Sequence, residues 1–182
     1  ISPFSFRDYR YYWAARLAST LAQNAMVVVI GWQVYDIARD PLKGGMNTKD
    51  AAFQLGLVGV AQFLPLLLLT LVVGWTADRI DRRWIARCSV LLEAGCATAL
   101  AILGWTDTTT LPVLFLIAAL LGVARAFASP ALSALAPNLV PTAVLPTAIA
   151  ASSIAWQTGA ILGPAAGGYL YAAGHGAPYT VA

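Results

Sequence analysis

Residues 74–83 read GWTADRIDRR and place five charged side chains within ten residues of an otherwise apolar chain. The stretch that precedes them, LPLLLLTLVV at 64–73, carries no charge. Charged residues make up only 10% of the 182-residue chain, whereas roughly 25% is typical of soluble domains. With 59% hydrophobic residues and a mean hydropathy of +0.72, the chain has too little polar surface for a water-soluble globule. We therefore expect an integral membrane protein.

The apolar residues fall into five blocks, each at or above the ~20 residues that an α-helix needs to cross the hydrocarbon core. The blocks cover about 14–35, 53–73, 84–105, 111–136 and 145–173. The period-two alternation of membrane strands is absent, so we predict an all-α protein with five transmembrane helices. We expect no cleaved signal peptide, because the first apolar block already has full spanning length.

Lysine and arginine are distributed unevenly between the predicted connections, and this imbalance predicts the orientation. Seven lie on one side of the bundle and three on the other: Arg7, Arg10, Arg16, Arg79, Arg82, Arg83 and Arg87 against Arg39, Lys43 and Lys49. Because cytoplasmic loops carry the excess of Lys and Arg, we expect the N-terminus and the 74–83 stretch in the cytoplasm. The net charge of +3 then reflects topology, and no basic groove with interleaved aromatic residues predicts nucleic-acid binding.

The sequence contains no catalytic or metal-binding arrangement, and we expect no cofactor. Cys88 and Cys96 lie eight residues apart on one predicted helix, about 12 Å along its axis, which is too far for a disulfide. We interpret them as apolar core residues and the single histidine, His175, as a solvated loop residue. No nucleophile lies beside a base, and no phosphate loop or ligand cluster is present.

The 74–83 stretch has a physical interpretation beyond its charge. Gly74 at the end of the second helix would allow another helix to approach closely. Asp78, one turn later, can cap a neighbouring helix N-terminus, while Arg79, Arg82 and Arg83 supply counter-charges and bind anionic lipid headgroups. The alternative is a positively charged topological anchor with no further role.

A second stretch, GAILGPAAGG at 159–168, lies on the fifth predicted helix. Gly159, Gly163 and Gly167 recur every four residues, which forms a groove for close helix packing. Pro164 removes one backbone hydrogen bond and bends the helix. By themselves these residues indicate only a packing groove with a structural bend, which any helical bundle can use.

Both stretches resemble signatures of the major facilitator superfamily. GWTADRIDRR resembles the loop signature Gly-x-Leu-Ala-Asp-Arg-x-Gly-Arg-Arg/Lys between helices 2 and 3; Gly74, Ala77, Asp78, Arg79, Arg82 and Arg83 match, and Thr76 and Asp81 depart from it. GAILGPAAGG resembles the antiporter motif of exporters, with Gly159, Gly163, Pro164, Gly167 and Gly168 in place and Ala150 departing from the longer form. A third family signature places an arginine where this chain has Ala118, so its proton-relay role is not transferred to Arg125.

The resemblance covers essentially residues 1–182 and implies five helices of the six-helix N-terminal half of a twelve-helix carrier. The sixth helix and the C-terminal half, which transport would require, are expected to lie outside this sequence. Three stretches are most similar to the branch that holds enterobactin exporters and macrolide efflux pumps. They are RDYRYYWAARLAS at 7–19, WQVYDIARDP at 32–41 and AFASPALSALAPNLVP at 126–141. The resemblance thus implies proton-coupled efflux of a small molecule, such as a drug or a siderophore, by alternating access in a bacterial inner membrane.

Polar residues within the predicted spans are the candidates for the transport cavity, because each costs insertion energy unless it faces protein or water. In the family, helices 1 and 4 line the central cavity; the candidates are Gln23, Asn24, Gln33, Glu93 and Arg125. Glu93 and Arg125 fall at comparable depth on helices 3 and 4, each on a stripe of small residues, and we predict that Arg125 faces the cavity with Glu93 as its partner or proton acceptor. The alternative is that each faces water or a different polar group. Gln62 and Gln157 are equally consistent with hydrogen bonds between helices.

Two other functional classes remain open at this stage. An intramembrane enzyme would need a nucleophile or ligand cluster outside residues 1–182. A structural membrane subunit would have no need of charged residues such as Glu93 and Arg125 in the middle of the membrane.

The Lys/Arg imbalance yields a test of topology. A single cysteine introduced within 79–83, in a variant lacking Cys88 and Cys96, should react with a membrane-impermeant thiol reagent only from the cytoplasmic side. One introduced within 43–49 should react only from outside. The reverse labelling pattern would invert the predicted orientation.

Overall fold

The computed structural model describes residues 2–174 and 177–182; for Thr70, Ala77, Asp78 and Arg82 only the backbone is described. Within these ranges the chain is helical, with no strand, and the all-α prediction is confirmed. The helices are α1 (Arg7–Arg39), α2 (Thr48–Arg79), α3 (Arg82–Trp105), α4 (Leu111–Leu135), α5 (Leu145–Ala173) and the short α6 (Ala177–Val181). The first two extend beyond the predicted apolar blocks, because hydropathy marks the span inside the membrane and polar residues continue the helix on either side.

Four helices are long and apolar enough to cross a membrane: Arg7–Arg39, Thr48–Leu69, Arg83–Trp105 and Leu111–Asn138. The fifth helix, α5, has 29 residues, about 43 Å at the usual rise, which exceeds the ~30 Å hydrocarbon core. Gly, Ser, Thr and Pro are frequent in α5, and α5 is not among the four helices that meet both conditions. Four of the five predicted spans therefore correspond to helices that are long and apolar enough to cross a membrane. The fifth corresponds to α5, which is long enough.

The connection between α2 and α3 is a two-residue turn at Ile80 and Asp81. The Asp81 carboxylate accepts a hydrogen bond of 2.9 Å from the backbone N–H of Arg83 and so caps α3. An acidic N-cap is favoured there by the unpaired N–H groups of the first helical turn. The departure from the family's glycine at this position therefore gives a capped helix start.

The packing places α1 and α4 at the centre of the bundle. The most extensive interfaces join α1 to α5, α2 to α4, and α3 to α4. The largest buried cluster lies between α1, α3 and α4 and includes Ile30, Leu100 and Leu114. We call the end with the N-terminus of α1 and the α2–α3 turn the arginine-rich end, and the end with the α1–α2 and α3–α4 connections the opposite end.

Three aromatic side chains near the start of α1 fix it at the arginine-rich end. The Tyr9 hydroxyl donates to the Ala148 carbonyl of α5 at 2.6 Å, and the Trp13 indole N–H donates to the Ala151 carbonyl at 2.8 Å. The Tyr12 hydroxyl donates to the Leu132 carbonyl of α4 at 2.8 Å. Each aromatic ring thus buries apolar surface while its polar atom is satisfied.

The glycines of α5 pack directly against α1, as their spacing predicts. A Cβ added at Gly159 would lie 2.7 Å from the Thr20 Cβ, one at Gly163 would lie 2.8 Å from the Leu21 carbonyl oxygen, and one at Gly167 would lie 2.9 Å from the Ala25 Cα. These separations leave no room for a side chain. A Cβ at Gly168, on another face of α5, would meet no atom within 4 Å.

This contrast gives a matched pair of variants on one helix. Gly163→Ala should destabilise the protein by roughly 1–3 kcal/mol, because the new methyl group overlaps the α1 backbone. Gly168→Ala makes the same chemical change in open space and should be neutral or slightly stabilising. Thermal unfolding of both purified variants in one detergent checks this, and equal melting temperatures would contradict the packing.

Candidate functional site

A cavity of about 390 Å³ lies between α1, α2, α4 and α5. Its walls combine amide, hydroxyl, aromatic and guanidinium groups: Gln23 on α1, Gly59, Gln62, Phe63 and Leu66 on α2, Arg125 and Ser129 on α4, and Trp156 on α5. Arg125 is the one charged side chain among these lining residues. A polar cavity between apolar helices is the expected form of a solute-binding site in a membrane bundle.

Gly122 determines how the cavity is built. A Cβ at Gly122 would overlap the backbone carbonyl of Gln62, so α2 and α4 touch through their backbones at this point. Arg125 lies one turn further along α4, and Gln62 lies directly across on α2. The small-residue stripe of α4 was expected to bring α3 close to Arg125, but at Gly122 it accommodates α2.

Glu93 is held by α1. Its side chain is only 6% exposed. The Ser19 hydroxyl donates to one carboxylate oxygen at 3.2 Å, and the Gln23 amide donates to the other at 2.5 Å. The same Gln23 nitrogen lies 3.2 Å from the Ser19 hydroxyl oxygen, so the three groups form one network. A carboxylate buried in this way depends on its donors, because an unpaired buried charge is strongly destabilising.

Glu93 and Arg125 do not form the predicted direct pair, because the donors nearest to the Glu93 carboxylate come from α1. Their nitrogen and oxygen atoms lie farther apart than the 4.0 Å limit of an ion pair. Within the described part of the chain, the ion pair is the one between Lys43 and Asp107, at 2.9 Å. The two charges still attract each other electrostatically. Gln23 binds the Glu93 carboxylate and lines the same cavity as Arg125.

Two other candidates from helix 1 lie outside the cavity. The Asn24 amide donates to the Thr20 carbonyl on its own helix at 2.8 Å, and its Cβ packs against Gly163. Gln33 is 4% exposed; it donates to Thr109 at 3.3 Å and accepts from the Tyr179 hydroxyl at 2.7 Å. Gln33 therefore joins α1 to the α3–α4 connection and to α6 at the opposite end.

The second-helix and fifth-helix amides also differ in position. Gln62 lines the cavity, whereas Gln157 is exposed on the surface of α5. The cavity adds Phe63 and Trp156, which no sequence pattern singled out because aromatic residues are common throughout membrane spans. Ser129 had a usable signal, since it lies four residues after Arg125 and hence on the same face of α4.

The 74–83 stretch lies outside the cavity at the arginine-rich end. A Cβ at Gly74 would meet no atom within 4 Å, so the close helix approach expected there is not made within the described chain. The reason is that α2 packs on α1 and α4 through other faces. The Arg79 guanidinium stacks 4.5 Å from the centre of the Trp75 ring, and Arg83 is exposed. The side chains of Asp78 and Arg82, and all of His175, lie outside the described residues.

The two cysteines lie in different environments. Cys88 is exposed and Cys96 is buried, and both are free thiols. Among the described residues no group of three or more His, Cys, Asp or Glu side chains could hold a metal ion.

The Glu93 network predicts unequal effects for two chemically identical substitutions. Gln23→Leu removes the shortest hydrogen bond to the buried carboxylate and should destabilise the protein by about 1–3 kcal/mol. Gln157→Leu makes the same change on the exposed face of α5 and should stay within about 0.5 kcal/mol of wild type. Thermal unfolding in detergent distinguishes them. If Gln23→Leu were as stable as Gln157→Leu, the network would have no structural role.

Comparison with known families agrees with this architecture of long apolar helices around a polar cavity. No curated protein matches the chain significantly. The family model MFS_3, described as transmembrane secretion effector, matches residues 1–182. Because the match spans the whole chain, this protein belongs to the transmembrane secretion effector family and is a membrane transporter of the major facilitator type.

Proposed function

We propose that this protein exports a small molecule from the bacterial cytoplasm in exchange for protons, by alternating access across the inner membrane. Transport itself follows from family membership; the direction and the coupling are the proposal. The observation that carries it is the position of Glu93, a titratable side chain 6% exposed within the bundle and one amide away from the cavity. A carboxyl group at membrane depth is a typical element of proton pathways.

The environment of Glu93 explains how cavity occupancy would change its proton occupancy. The Glu93 carboxylate is buried and accepts hydrogen bonds from Ser19 and Gln23. Gln23 and Arg125 both line the cavity, so a bound solute and the proton on Glu93 act on the same groups and their binding is coupled. The proposed exchange requires this coupling to be negative, so that proton uptake by Glu93 favours release of the solute and proton loss favours its binding.

The direction of transport rests on the fifth helix. GAILGPAAGG resembles the motif of exporters, and its glycines join α5 to α1 over more than two helical turns. The resemblance to enterobactin exporters and macrolide efflux pumps favours a siderophore or a drug as substrate. Tight packing of this kind would let α1 and α5 move as one body when the cavity changes its accessible side.

The 74–83 stretch would serve the same cycle from the cytoplasmic end. Gly74 is open and Arg83 is exposed, so both remain free to contact the C-terminal half of the carrier or anionic lipid headgroups. We propose that Asp78 and the neighbouring arginines form a contact that holds the cytoplasmic side closed. In this proposal the N-terminus of α1 lies in the cytoplasm, as the Lys/Arg imbalance predicts.

The test uses the full-length protein in inside-out membrane vesicles with iron-free enterobactin, a siderophore with aromatic catechol rings, as the probe. An imposed pH gradient, acidic inside, should drive its uptake, and a protonophore should abolish this uptake. Glu93→Gln should lose gradient-driven uptake while retaining exchange of labelled for unlabelled substrate, which needs no proton movement. Gradient-driven uptake by Glu93→Gln at the wild-type rate would remove Glu93 from the coupling step.

A double-mutant cycle tests the link between the two deep charges. Glu93→Gln and Arg125→Gln should each lower the amount of protein in the membrane, because each leaves the other charge uncompensated. The double variant should recover expression without recovering proton coupling, with a non-additive free energy of about 0.5–3 kcal/mol. Strictly additive effects on stability and transport would show that the two charges act independently.

A further inference from the structure

We propose that the cavity selects organic anions that carry a flat aromatic body. This inference rests on the proposed function only in taking the cavity as the place where the transported molecule binds. It goes further by assigning the charge and shape of that molecule.

Arg125 supplies the recognition of negative charge. Among the described residues that line the cavity it is the one charged side chain, and no hydrogen bond or ion pair joins its guanidinium to another described residue. A guanidinium presents up to five N–H donors in a planar arrangement that matches a carboxylate or a similar oxyanion. An arginine at this depth, without a direct protein partner, requires water or an anion in the cavity.

Glu93 does not offer a competing site for cations. Its carboxylate belongs to α3, is 6% exposed, and is not part of the cavity wall. Its two oxygens already accept hydrogen bonds from Ser19 and Gln23. A cation entering the cavity would therefore meet the guanidinium of Arg125 with no exposed carboxylate to offset the repulsion.

The aromatic part of the proposal comes from Phe63 and Trp156. These rings belong to α2 and α5, line the same cavity as Arg125, and are 58% and 52% exposed within the bundle. Their faces provide stacking surface for a planar ring, while the amides of Gln23 and Gln62 provide orienting hydrogen bonds. The volume of about 390 Å³ falls within the roughly 300–1,000 Å³ of small-molecule sites.

The test is equilibrium binding to purified full-length protein at neutral pH with three probes of one shape. The probes are 1-naphthoate, the neutral 1-naphthamide, and the (1-naphthyl)methylammonium cation. We expect 1-naphthoate to bind at least about tenfold more tightly than the cation, with the amide between them, as a charge-assisted hydrogen bond predicts. Trp156→Ala should weaken all three by similar factors, because it removes the surface that they share.

Matched arginine variants locate the selectivity. Arg125→Gln should abolish the preference for the anion while leaving binding of the amide within about twofold. Arg87→Gln makes the same change outside the cavity, where the guanidinium lies 5.9 Å from the centre of the Trp84 ring, and should leave all three affinities unchanged. Arg125→Lys retains the positive charge and should retain the preference, which provides a second readout if Arg125→Gln does not fold.

Three outcomes would overturn the proposal: no saturable binding of 1-naphthoate, a cation that binds as tightly as the anion, or an anion preference that survives in Arg125→Gln. These measurements need no proton gradient. A failure of gradient-driven export would therefore leave the selectivity result intact, and a failure of the selectivity result would leave the coupling test intact.

Discussion

The backbone contact between α1 and α5 is the constraint on which the rest of the structure depends. Three glycines on α5 meet Thr20, Leu21 and Ala25 at separations that exclude a side chain, which fixes the rotation of α1 about its own axis. Because Thr20, Leu21 and Ala25 face α5, the neighbouring face of α1 is directed toward α3. Ser19 and Gln23 lie on this face and bind Glu93. The packing of glycines against the backbone of α1 thus determines which polar groups meet on the other side of the helix.

The sequence predicts the helices well because span length and apolar composition follow directly from the thickness of the bilayer. It also predicts the glycine groove, since a four-residue repeat places Gly159, Gly163 and Gly167 on one face. It does not predict which polar residue meets which, because that depends on helix rotation. Gln23 and Gln33 are ten residues apart, about 80° around the helix axis and about 15 Å along it; one lines the cavity and the other binds Thr109 and Tyr179 at the opposite end.

Polar contacts of α1 occur along its whole length and reach every neighbouring part of the bundle. Tyr9 and Trp13 bind α5 carbonyls at one end, Gln23 binds Glu93 in the middle, and Asp36 accepts a 2.6 Å hydrogen bond from Tyr171 near the other. Hydrogen bonds between membrane helices are individually modest, averaging about 0.6 kcal/mol in one well-studied case. Close packing therefore supplies most of the cohesion, and the polar contacts determine orientation.

The second helix has the opposite character, since only 6% of its most apolar window is buried. Exposed leucines on a membrane helix carry no information by themselves, because lipid and protein are equally apolar surroundings. Exposed glycines carry more, because lipid contact does not require a missing side chain and glycine costs up to about 1 kcal/mol relative to alanine in a helix. Gly56 and Gly74, which lie outside the cavity wall, face open space within the described chain. This cost is understandable if α2 closes against a second helical bundle during transport, as the proposed cycle requires, and it would be unexplained if α2 faced only lipid.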